Sequence, residues 1–238
     1  SVKKIRKRKE LKRENIASSD SARMHKMFVR ALLASLVFCA AFVCASPAPK
    51  WPAHWSQSFH EATRGFLGGK YETDGQYYYD FTRNATRVDR TNGNGDRYCG
   101  SVVWGNEPCT HLVTGGHRYL IFPVSNKCCL CCSNEDGCGI LSPDWLQDAE
   151  YMGQETMGGK VCDKWAKKGL QSNYWWQTVD DSVPIELDQE PNDYTTYNYK
   201  SYSTAPLPAG LFTVPPNCDG SCPTFSLCTI ARTVKSRL

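Results

Sequence analysis

Thiols are the residues with the greatest chemical potential in this chain. Cys128-Cys129-Leu130-Cys131-Cys132 holds two overlapping Cys-x-x-Cys pairs, a spacing that suits zinc or dithiol redox chemistry in a reducing compartment. No second pair at finger spacing and no downstream His-x-x-x-His follows. Cys218, Cys222 and Cys228 form another cluster, with Gly220 and Pro223 suiting a tight stapled loop. Together with Cys99, Cys109, Cys138 and Cys162 these are 11 of the 13 cysteines. In an exported chain they read as disulfides, and the odd count leaves at least one thiol free or bound to another molecule. The remaining candidates for chemistry are weaker. His54, His60, His111 and His117 form no His-Glu-x-x-His, and there is no Gly-x-Ser-x-Gly elbow or phosphate-cradling glycine loop. Cys99-Gly100-Ser101 resembles the start of a papain-type nucleophile segment, but Val102 stands where that motif has its second cysteine. Neither an enzyme nor a metal centre is expected. Asp180, Asp181, Glu186, Asp188, Glu190 and Asp193 crowd one region. Their oxygens could bind calcium weakly at extracellular concentrations, although a solvated loop is the commoner origin of such a run.

The compartment follows from the first 45 residues. The whole chain has 238 residues and net charge +4, but this segment carries eleven Lys/Arg against three acids, which leaves the rest near −4. No nucleic-acid partner is therefore expected from the charge. Residues 31–45 are apolar and uncharged, preceded by Lys26 and Arg30 and followed by Ser46-Pro47. That is the pattern of a secretory signal peptide cut after Ala45, and the run falls short of the ~20 residues a membrane span needs. The expected organisation is an upstream basic segment plus signal peptide over 1–45, with its start at Met24 or Met27, and a single secreted domain over 46–238.

Several elements would position these residues. Trp51, Trp55, Phe59, Ala62 and Phe66 recur at steps of three and four, predicting a helix that ends at Gly68-Gly69. From Gln76 to Arg90 the aromatic and β-branched content predicts a strand, closing on Asn92-Gly93-Asn94-Gly95 as a hairpin turn. Further strands are predicted over 118–124, 160–167, 173–179, 182–188 and 193–203. Val183, Ile185 and Leu187 alternate with polar residues, and Pro184 puts their strand at an edge or a bulge. Ser142-Pro143 is placed to start a short helix. Successive strands with few, short helices imply a mainly β protein built on one antiparallel sheet or open barrel.

Asn84-Ala85-Thr86 is a glycan acceptor signal. If Asn84 faces water within a regular strand, Tyr78, Asp80, Thr82 and Thr86 share its side and Tyr77, Tyr79 and Phe81 face inward. Arg83 and Arg87 have the inner parity too, where a cation at the mouth of an aromatic cavity would suit a fatty-acid carboxylate. The competing expectation is that both arginines snorkel or pair with acids near a sheet end.

The order of short motifs carries a resemblance. Residues 75–80 (GQYYYD) are followed by 87–90 (RVDR), Cys99 and Cys109, 118–123 (RYLIFP), 161–165 (VCDKW), 174–176 (YWW), 183–185 (VPI) and a terminal cysteine loop. Over roughly 70–230 the chain resembles the ependymin family and its LolA-like relatives. The resemblance implies a strongly curved antiparallel sheet folded around helices, enclosing a hydrophobic pocket for lipid or another apolar cargo. It also admits calcium dependence and a homodimer, without a motif that carries calcium to named residues. The 128–138 cysteines are additional to the family's usual few, and are placed to tie down a loop over the pocket or to present a surface. The expected lining is Tyr77, Tyr79, Phe81, Trp165, Trp176, Val183, Ile185 and Leu187, with Arg83 and Arg87. The expectation is thus a secreted, disulfide-stapled glycoprotein holding a hydrophobic small molecule or lipid. The alternative is an extracellular adhesion or matrix component with a filled core and protein partners.

Overall fold

The computed structural model describes residues 47–64, 69–103, 105–169 and 171–234; the expected leader over 1–45, and Phe66 at the end of the aromatic stripe, lie outside them. The first element corrects the sequence expectation. Instead of a helix, the stripe forms strand β1 (His54–Arg64). Trp55, Gln57, Phe59, Glu61 and Thr63 are buried and the residues between them are not. The four-residue step from Trp55 to Phe59 is also two strand periods. Polar Gln57 and Glu61 hid the alternation, and both find partners inside: Gln57 Nε2 donates to the Pro184 carbonyl at 3.0 Å, its Oε1 being left unpaired, and Glu61 accepts from Arg90.

Ten further strands follow: β2 (Lys70–Asp80), β3 (Ala85–Arg90), β4 (Cys109–Thr114), β5 (His117–Phe122), β6 (Lys127–Ser133), β7 (Glu150–Met157), β8 (Lys160–Lys168), β9 (Ser172–Thr178), β10 (Pro184–Glu190) and β11 (Asp193–Tyr197). They form one antiparallel sheet in the order β6-β5-β4-β3-β2-β1-β11-β10-β9-β8-β7, open at β6 and β7. The long run 76–90 is two strands, because Phe81–Asn84 make a turn in which Asn84 takes φ 49°. Asn92-Gly93-Asn94-Gly95 is not the hairpin turn. It forms a 3-10 turn whose Asn92 side chain accepts from the Asn94 amide, and leads into helix α1 (Arg97–Gly100). Gly95 is required there, since a Cβ would lie 2.5 Å from Thr73 Cβ. The Ser142 segment likewise makes successive turns, with the amides of Trp145 and Gln147 bonded three residues back, rather than a helix. Pro184 sits at a bulge inside the sheet, between Pro184 and Glu186.

The sheet must be strongly curved. β5 and β9 are seven places apart, about 34 Å if flat, yet Arg118 on β5 and Asn173 on β9 line one cavity. The sheet does not wrap helices, however: among the described residues α1 has four residues and α2 (Leu227–Val234) eight. Aromatic side chains and the segment 137–149 occupy the concave side instead.

On the convex side, Leu207, Leu211, Phe212 and Val214 pack on Tyr78, Ala85, Leu112, Tyr119 and Ile121, so this segment straps β2 to β5. The chain then reaches the β6 edge. There Leu130 exchanges backbone hydrogen bonds with Gly220 and Cys222, and three disulfides fasten the contact: Cys128–Cys218, Cys129–Cys222 and Cys131–Cys228. Cys99–Cys109 and Cys132–Cys138 are the other bridges among the described residues. Cys162, expected among the disulfides, is a buried free thiol. It lies between Trp176 and Ile185 on the convex side, far in the sheet order from the β6 cysteines.

Candidate ligand-binding cavity

One end of the concave face is solid. The Trp51 ring lies 5.2 Å from each of Trp55, Tyr79 and Trp175 and 5.6 Å from Trp145, mostly edge to face, the favoured aromatic geometry. Tyr79 and Trp165 belong to this packed cluster. Towards β3, β4 and β5 the residues at matching positions are Thr86, Val88, His111 and Val113, too small to fill the curve. A cavity of about 510 Å³ opens there. Its apolar wall includes Phe59, Tyr77, Val88, Val113, Ile140, Leu187 and Tyr197, and its polar wall Glu61, Arg90, Arg97, His111 and Arg118.

The roof comes from residues 137–141. It is pinned by Cys132–Cys138, by the Asn134 amide donating to Gly116 O at 2.8 Å, and by Tyr79 Oη donating to Leu141 O at 2.8 Å. The 128–138 cysteines therefore do tie down a loop over the cavity, through this bridge. Gly75 makes room for the Phe59 ring of the cavity wall: it stands opposite Phe59 on β1 and Arg90 on β3, and a Cβ would meet that ring at 2.3 Å. Without a side chain there, the Arg90 guanidinium lies 5.7 Å from the centre of the Phe59 ring.

The charges form a ladder. Arg90 Nε donates to Glu61 at 2.6 Å and Arg90 Nη2 lies 3.6 Å from Asp96. Asp96 caps α1 by accepting from the Cys99 amide at 2.8 Å, and bonds His111 Nε2 at 2.9 Å. Arg97 pairs with Asp193. Burial pushes the Glu61 carboxyl up, with Arg90 opposing. Burial would raise Asp96 as well, but His111 and Arg90 outweigh it and hold this carboxylate well below its usual range. Burial lowers His111, with Asp96 opposing through the contact at Nε2. Arg118 differs from its neighbours. Among the described residues no carboxylate lies within 4 Å of it and it donates no hydrogen bond, while its Nε is sealed from solvent. It rests 5.7 Å from the centre of the Tyr98 ring.

Of the ten residues expected to line a pocket, Tyr77 and Leu187 line this cavity, while Arg87 lines a separate one beside Asp89 and Thr110. Phe81 is 44% exposed on the β2–β3 turn. That turn resets the parity on which the inward assignment rested. Arg83 and Arg87 consequently face the convex side, where Arg83 bonds the carbonyls of Leu207 and Pro208 and Arg87 that of Leu211, each also pairing with a nearby aspartate. They hold the strap, not the cavity. Trp176 and Ile185 pack on the convex side with Cys162, and Val183 is buried before β10. Asn84 is exposed at the turn itself. Sequence reasoning missed Arg90 and Arg118; Arg90 shares the parity of Val88, the signal that a correctly broken strand would have offered. The six crowded acids separate: Asp181 bonds Thr178 and Tyr199, Asp193 bonds Arg97, and Glu186 and Asp188 sit side by side on the other face. The one cluster of three metal-ligand types among the described residues, Cys99, Cys109 and His111, has both sulfurs in a disulfide.

Fold and site define an open, curved antiparallel sheet with an amphiphilic cavity on its concave face. The chain belongs to the family described as domain of unknown function DUF8395, whose model matches residues 50–190. No curated protein matches it. Among solved structures it is similar to an uncharacterized conserved protein from Thermus thermophilus, at 10% identity and TM-score 0.45, over 71% of this chain and 88% of the other. It is also similar to a LolA superfamily protein from Nitrosomonas europaea, at 10% identity and TM-score 0.34 over 69% and 92%. A putative outer membrane lipoprotein-sorting protein domain from Vibrio parahaemolyticus gives 7% identity and TM-score 0.34 over 68% and 89%.

Proposed function

We propose that this protein is an exported, glycosylated carrier that binds a hydrophobic or amphiphilic small molecule in the concave cavity. The observation that carries the reading is the contrast along one face: large aromatics fill one end, whereas about 510 Å³ stays open at the other between apolar and charged walls. Small-molecule sites have this size and this mixture of apolar lining with a few polar groups. Burial of a ligand there supplies about 25 cal/mol per Å² of apolar surface, with no covalent step required. Five disulfides support passage through an oxidising compartment, and the exposed position of Asn84 suits a glycan. The ependymin-like order of motifs points the same way.

Native mass spectrometry of protein secreted from a eukaryotic host tests this reading. A co-purifying species released by organic extraction is expected. Ligand-free protein that also fails to take up laurate or dodecanol would rule the carrier out in favour of a filled-core adhesion or matrix protein.

A further inference from the structure

We propose that the cavity selects amphiphiles with an anionic oxygen head group, a carboxylate or a phosphate monoester, and that Arg118 is the residue that receives it. This rests on the cavity being the ligand site. The wall contains three guanidinium groups, and two have carboxylates of their own: Arg90 has Glu61 and Asp96, and Arg97 has Asp193. Arg118 has neither an ion pair nor a hydrogen-bond acceptor among the described residues. An arginine remains charged in a protein; Arg118 is half-buried with its Nε sealed, and Asp96 and Tyr98 favour its charge without a direct ion pair or hydrogen bond. The nearest available carboxylate is already committed, since Asp96 serves the Cys99 amide, His111 and Arg90.

A second observation lies across the cavity wall. Arg90 Nη1 is also sealed from solvent without an acceptor, and Arg90 and Arg118 stand close enough to repel each other. An anion in the cavity that both residues line would offset that repulsion. A planar guanidinium fork matches two oxygens of a carboxylate or phosphate. The Tyr98 ring backs Arg118 and limits how its side chain can turn away. Beyond the head group, Phe59, Val88, Val113 and Leu187 offer an apolar path for a chain. The cavity thus gives a ligand a direction, head towards β5 and tail towards β1 and β10.

Calorimetric titration of the purified protein at pH 8 with laurate, dodecyl phosphate and dodecanol tests this. An anionic probe should bind at least tenfold more tightly than dodecanol, about 1.4 kcal/mol, and whichever anion is preferred identifies the head group. Arg118→Met should bring anion and alcohol within about twofold, chiefly by weakening the anion. Arg118→Lys keeps the charge but loses the fork, and should show an intermediate ratio, which preserves the test if Arg118→Met folds poorly. Equal binding of anion and alcohol by the wild type, or a preference that survives Arg118→Met, would overturn the assignment while leaving the carrier reading intact. Failure of all three probes to bind would overturn both.

Discussion

The two ends of the concave face share one sheet and one curvature, yet are built on opposite principles. At the tryptophan end, Trp51, Trp55, Trp145, Trp165, Trp175 and Tyr79 occupy the space the curve encloses. At the arginine end, β3 and β4 present Thr86, Val88, His111 and Val113, and the space is left open. Stability at the first end comes from dispersion and removal of aromatic surface from water. At the second it comes from an ion-pair ladder that must satisfy itself around a void, with a disulfide-pinned roof above it. The lesson is that a curved sheet has a choice between core and site, made by side-chain size at a few inward positions.

The comparison can be broken most strongly by substituting one residue at each end. Trp175→Ala is expected to cost about 3–5 kcal/mol, and Arg90→Met about as much because it strands Glu61 and Asp96 in the interior. Urea denaturation with the disulfides intact measures both. Their rescue separates the mechanisms: adding Glu61→Leu should recover most of the loss in Arg90→Met and none of that in Trp175→Ala. The next effect is smaller. Replacing Cys132 and Cys138 by serine opens a short loop and should cost about 2 kcal/mol by the chain-entropy model. It should also speed ligand release, read by stopped-flow displacement, without altering aromatic near-ultraviolet dichroism from the tryptophan end.

A control lies on the convex side. Burial and the neighbouring Asp188 push the Glu186 carboxyl up from 4.5 to about 7. The folded protein therefore holds this proton more tightly than the unfolded chain does, and stability declines as pH rises from about 4.5 through about 7. Glu186→Gln removes the decline. Allowing for partial solvent screening, the variant should gain about 1–2 kcal/mol over wild type at pH 8 and nothing at pH 4. Ligand affinity should be unchanged at both. The smallest change in stability belongs to Arg118→Met, expected within about 1 kcal/mol of wild type by urea denaturation, because removing an unpaired charge leaves no partner behind.

Much of the sheet was legible. The predicted runs over 118–124, 160–167, 173–179 and 182–188 correspond to β5, β8, β9 and β10, and 193–203 to β11 as far as Tyr197, beyond which Tyr199–Ser201 form a 3-10 turn; aromatic and β-branched residues cluster in these runs. β1 was not, since a four-residue spacing of aromatics satisfies both helix and strand until the partners of Gln57 and Glu61 are known. β6 was hidden by its cysteines, which read as a knot rather than a strand. Three of its four bridges reach partners 90 to 97 residues away, and no local pattern encodes such pairings. The cavity was legible only in type. One turn at Asn84 moved Arg83 and Arg87 to the strap and gave their expected role to Arg90 and Arg118.

Hydrogen–deuterium exchange with and without saturating laurate tests most directly that the two ends differ in kind. Slowed exchange is predicted in peptides covering 86–90, 111–118 and 137–141, with those covering 51–57 and 163–166 unchanged. Protection spread evenly over both ends, or confined to the tryptophan end, would contradict the account.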